Sequence, residues 1–121
     1  MAEGMGTAGA NTALDALVAA YTWVKLHVGA PGAAATSNAA VETTRKQATW
    51  RASASGATSQ SNALTWTNVA GSEDYTHFSV WTASTAGTFG FSGTITANPV
   101  TAGDTFTIAI DDLDVSYTLA S

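Results

Sequence analysis

The chain has 121 residues, with four basic and nine acidic side chains, a formal net charge of −5 and no cysteine. So few cations cannot neutralise a run of phosphates, which excludes nucleic-acid binding and docking on an anionic membrane. The missing cysteines exclude disulfides and thiolate metal centres. Only 11% of the residues are charged, against roughly 25% in ordinary soluble proteins. Threonine, alanine, serine and glycine fill the surface instead, a composition closer to extracellular and virion proteins than to cytosolic enzymes.

In chain order, residues 1–10 are small and glycine-rich and read as a flexible arm, with residues 11–121 as a single β-rich domain. No basic region precedes the first apolar run, so no secretory leader is expected, and that run, broken by Asp15, is too short to span a bilayer. Asn11 or Thr12 is placed to cap a helix over 12–21, whose Leu14, Leu17, Val18 and Tyr21 form one apolar stripe. The period then switches to two. In 22–28, Val24, Leu26 and Val28 alternate with Trp23, Lys25 and His27, which predicts a strand. A long loop follows over 29–40. A strand over 44–53 turns Ala48 and Trp50 inward, and one over 63–69 shows Leu64 and Trp66.

Residues 75–83 alternate strongly, with Phe78 and Val80 on one face and His77, Ser79 and Trp81 on the other. The strand predicted over 88–97 carries Phe89, Phe91 and Ile95; Gly90 and Gly93 within it signal a bulge or a close backbone approach. A loop is predicted over 98–104. Residues 105–110 and 113–120 then read as a hairpin turning at Asp111 and Asp112. Its inward sets are Phe106, Ile108 and Ile110, and Leu113, Val115, Tyr117 and Leu119. One short helix and about seven short strands predict a mainly β fold, a small antiparallel sandwich or barrel.

Chemical signals are sparse. His27 and His77 could share a metal only with a further ligand, and Glu73 and Asp74 are the nearest acids. Asp111, Asp112 and Asp114 could hold calcium at a loop tip, but without the glycine and distal glutamate of an EF-hand loop. No serine sits in a G-x-S-x-G elbow, and the G-A-P-G turn at 29–32 lacks the lysine and spacing of a phosphate loop. No cofactor and no enzymatic activity are expected. The four tryptophans could form a sugar-stacking platform, though packing of a small core or interface is favoured.

The ordered series ALDALVAAYTWVKLHVGAPG at 13–32, RKQATW at 45–50, SNALTW at 61–66 and THFSVWTASTAGTFGFSGTIT at 76–96 resembles a family of small proteins of tailed phages. That family is common in phages of actinobacteria and is described as tail-fibre, minor-tail or other virion structural proteins. The resemblance covers about residues 11–120. The family often has an acid where this chain has Ala30, and another where it has Ala39; any ion or partner those acids bind is in question here. The resemblance implies no catalytic residue. It implies that His27, with Gly29, Pro31 and Gly32, fixes a structural turn at the end of its strand.

The expectation is a non-enzymatic virion component, assembled in the host cytoplasm, that associates with itself and docks on phage tail or capsid proteins. A closed ring, such as a trimer, would bury edges and the helix. Partner contacts are expected at Leu14, Leu17, Val18, Tyr21, Arg45, Trp66 and Trp81. A fibre would reach host surface glycans; a capsid decoration protein would touch only the shell. The rival reading is a carbohydrate-binding module or adhesin.

Overall fold

A computed structural model describes residues 4–116, without the side chains of residues 97 and 98. Its order is α1 (Thr7–Ala20), β1 (Trp23–His27), β2 (Lys46–Gln47), β3 (Ala57–Ser59), β4 (Leu64–Trp66), β5 (Glu73–Trp81), β6 (Phe89–Val100), β7 (Phe106–Ile108) and β8 (Asp114–Ser116). The fold is mainly β and antiparallel. One sheet has four strands in the order β2-β1-β5-β6, and two short ladders, β3-β8 and β4-β7, form the second layer. The four-stranded sheet stays open among the described residues, so the layers form a small sandwich rather than a closed barrel.

Helix α1 begins earlier than the sequence predicts, because Thr7–Ala10 is already helical. Gly6 stands at its N-cap with no side-chain cap. Asn11 serves another segment instead: its Oδ1 accepts the Gly56 N–H at 2.9 Å. Asp15 does the same for the Ser53 N–H, and this bond holds its carboxyl below the usual range. Ala10, Leu14 and Val18, at four-residue spacing, form the buried line. Leu17 and Tyr21 are only half-buried. The run Tyr21-Thr22-Trp23-Val24, rich in β-branched and aromatic residues, ends the helix and starts the sheet.

Strand β1 pairs with β5 from Trp23↔Trp81 to His27↔His77. Val24, Leu26, Phe78 and Val80 face the core, where they meet Leu64, Trp66, Phe106 and Leu113 from the other layer. Val28 falls beyond the strand end and is exposed, not inward. The strand predicted over 44–53 shortens to Lys46–Gln47. Past it the chain crosses between layers: the Ala48 N–H still bonds Thr22 O, but the Arg51 N–H bonds Ser59 O.

The predicted loop at 98–104 also needs correction. Strand β6 runs through Pro99 to Val100. It lies at the edge of its sheet, where a missing N–H is tolerated. Its register shifts twice, between Tyr75 and His77 and between Val80 and Trp81. The second shift leaves Gly90 as the extra residue, and a Cβ there would collide with the Tyr21 ring. A Cβ on Gly93 would lie 2.8 Å from the Phe78 ring. Both glycines allow close approach.

The predicted hairpin 105–120 does not form as such. Strand β7 pairs with β4 (Trp66↔Phe106) and β8 with β3 (Ser59↔Asp114). Residues 57–66 and 106–116 thus run side by side as one ladder with a gap. Buried Gln60 closes that gap. Its Nε2 donates to Ala109 O at 2.6 Å, its Oε1 accepts the Leu113 N–H at 2.9 Å, and its backbone O accepts the Asp111 N–H. Ile110 lies in the gap and is 50% exposed, against the inward position expected of it. Tyr117 and Leu119 lie outside the described residues.

Candidate functional site

The outer face of the four-stranded sheet carries three rows of side chains. Antiparallel register sets Gln47, Trp23, Trp81 and Phe89 in the first row, Lys25, Ser79 and Ser92 in the second, and His27, His77 and Thr94 in the third. The first row is exposed or half-exposed, whereas His27 and Ser79 are fully buried.

A hydrogen-bond chain runs through this face. The Trp81 indole N–H donates to Ser79 Oγ at 2.8 Å. Ser79 Oγ lies 2.7 Å from His27 Nε2, and His27 Nδ1 lies 3.0 Å from Ser37 O. A carbonyl only accepts, so Nδ1 carries the proton and Nε2 accepts from the serine hydroxyl. Burial pushes the His27 pKa down, which agrees with a neutral ring. The arrangement has the order of a nucleophile, base and orienter. Both Ser79 and His27 are sealed from solvent, however, and no substrate carbonyl can reach the hydroxyl.

Around His27 the turn is tied by backbone bonds. The Val28 N–H donates to Asn38 O, the Ser37 N–H to Pro31 O and the Ala40 N–H to Leu26 O. Gly32 has φ +81°, a left-handed value that favours glycine, and the Gly29 backbone lies against the Asn38 side chain. Pro31 is buried. His27 and His77 face each other in register, but both His27 nitrogens are engaged. His77 Nδ1 sits 2.9 Å from Thr76 Oγ1. Among the described residues, no three His, Asp or Glu side chains converge to hold a metal ion. Asp111 is taken by Arg51, at 2.7 Å, and by Ser59.

The expected contact residues divide. Leu14, Val18 and Trp66, expected at partner contacts, are buried within the chain itself. The Trp66 indole donates to Thr44 O at 2.7 Å. Leu17 and Tyr21 are half-exposed. Arg45 and Trp81 meet: the guanidinium lies 4.4 Å over the Trp81 ring and its Nη1 donates to Ala83 O and Ala86 O. The ring on that side is covered by Arg45, so Trp81 is no bare stacking platform. Lys25 Nζ lies 6.0 Å from the same ring, and Phe89 packs against it at 5.6 Å.

Lys25, Ser79 and Gln60 were not singled out by their sequence setting. The alternation of 23–27 places Lys25 beside Trp23, but only the register with β5 joins it to Trp81. The role of two acids, Glu73 among them, was missed as well. Glu73 accepts the Val41 and Glu42 N–H groups, and buried Glu42 accepts those of Thr44 and Ala70. These carboxylates cap loop backbone where a strand partner is lacking.

A β-rich scaffold whose buried histidine, glutamine and glutamate bond to its own backbone and neighbouring side chains has the character of a structural module. The family model described as Podophage GP4 fiber I protein gp80 matches residues 5–116, and the chain belongs to that family. It is therefore a phage fibre protein by family, and a virion component. No protein of curated function matches it. Among the described residues, no helix is long and apolar enough to cross a membrane.

Proposed function

We infer that this chain is a non-enzymatic building unit of a podophage fibre, which associates with copies of itself and docks on the tail or capsid. The family match over residues 5–116 is the observation that carries this reading. The sealed Ser79–His27 pair supports it, because that pair serves the packing of the 29–40 loop. The family description favours a fibre over a capsid decoration protein, and an actinobacterial host is part of neither argument.

The experiment is antibody labelling of purified particles from the phage that encodes the chain, with antibodies raised against the recombinant protein. Labelled fibres and a matching band in particle digests are expected. Particles free of the chain would overturn the reading. Light scattering on the purified chain tests self-association separately: a discrete ring, such as a trimer, is expected, and a strict monomer at high concentration would remove that part.

A further inference from the structure

The first row of the outer face combines two half-exposed indoles with two cations that lack an acid. Trp23 and Trp81 stand side by side in register, with Gln47 and Phe89 at the ends of the row. Lys25 and Arg45 both approach the Trp81 ring, at 6.0 and 4.4 Å. Neither makes an ion pair among the described residues. Arg45 uses Nη1 for the Ala83 and Ala86 carbonyls, and its Nη2 and Nε make no bond there. Burial and the neighbouring guanidinium both press the Lys25 pKa downward. Two like charges are thus held together in a chain that is otherwise acidic.

We propose that this face binds an anionic saccharide, with Trp23 against a sugar ring and Lys25 and Arg45 sharing its carboxylate or phosphate. An anion there relieves the repulsion between the two cations and meets a guanidinium already held by two backbone carbonyls. Indole faces suit the apolar C–H surfaces of a pyranose, and Gln47 supplies a side-chain amide for hydroxyls. A row of four side chains is far below the roughly 20–30 residues a side of a stable protein interface, which favours a small ligand over a second copy. The proposal rests on the fibre reading, which brings the chain to cell-surface polysaccharide.

The test is titration calorimetry of the full chain with oligogalacturonate, with a glycerol-phosphate oligomer and with a neutral maltooligosaccharide of equal length. Saturable binding to one or both charged probes is expected, weakened by salt and reduced about tenfold by Lys25→Gln, the loss of one charge-assisted bond. Trp23→Ala is expected to reduce it similarly, whereas Arg51→Gln, off this face, leaves it unchanged. Three outcomes overturn the proposal: equal affinity for the neutral probe, binding indifferent to Lys25→Gln, or no binding to any probe. A fourth is a drop in oligomer mass on Lys25→Gln, which would make the face a subunit contact. Particle labelling decides the fibre reading on its own: a chain missing from particles that still binds the charged probe loses the fibre role and keeps the site.

Discussion

His27 sits at the point where the sheet hands over to the 29–40 loop, and its ring holds both. His27→Ala leaves the Ser79 hydroxyl and Ser37 carbonyl without that partner and opens a cavity, so a loss of about 2–4 kcal/mol is expected in chemical denaturation. The ring also sets a pH dependence. Burial lowers its folded pKa below the ordinary 6.5, so between the two values the unfolded chain binds more protons. This contribution to stability is complete above about pH 6.5 and is lost as the pH falls through the lower folded value. Thermal melts from about pH 8 down to about pH 5 are expected to show that slope, and His27→Ala to flatten it. Tyr75 is the opposite case. Its buried hydroxyl has no partner of good hydrogen-bond geometry, and burial, the Glu73 and Glu42 charges and the nearby Glu73 carboxylate push its pKa up to about 12. Tyr75→Phe removes a poorly partnered buried group and is expected to be neutral or to stabilise by up to about 1 kcal/mol. It should also delete a step near pH 12 in an ultraviolet titration; a destabilised variant would mean the hydroxyl has a firm partner.

At the scale of elements, the gapped ladder depends on one amide. Gln60→Leu keeps the volume but strands Ala109 O and Leu113 N, and a cost of about 2–4 kcal/mol is expected in urea denaturation. Gly90→Ala drives a methyl into the Tyr21 ring, with an expected loss of about 1–3 kcal/mol and weaker docking of α1, seen as faster amide exchange in the helix. The sequence was readable where local pattern decides. The alternation of 23–27 and 75–81 locates β1 and β5, and the two glycines flag the close approaches of β6. It failed where partners lie far along the chain. Asp111-Asp112 looks like a hairpin turn between 105–110 and 113–120, but the strands on either side pair with β4 and β3. No local signal tells Gln60 from any other polar residue. Nothing local tells that the 44–53 run must cross between layers after Gln47.

At the scale of the molecule, three of the seven residues that look like contacts lie inside. Trp66 and the Leu14–Val18 line are covered by their own chain. Burial of such side chains contributes about 1.5–3 kcal/mol each, so a small domain keeps its largest apolar groups for its own core. What the sequence does show is the shortage of cations: of four, Lys25 and Arg45 meet on one ring, and that meeting depends on register alone.

The nested pairing of residues 57–66 with 106–116 also fixes when the fold becomes complete. During synthesis, β5 and β6 each emerge after a pairing partner, β1 and β5 respectively, yet Leu64 and Trp66 stay uncovered until Phe106 and Ile108 leave the ribosome. Closure therefore comes late and joins distant segments, the slow kind of step in β folding. A copy cut before Phe106 is expected to be digested within the time that leaves the intact chain whole in limited proteolysis, because half of its second layer has no partner. An unfinished copy thus carries, in its uncovered Leu64 and Trp66, the mark by which a protease tells it from a complete one.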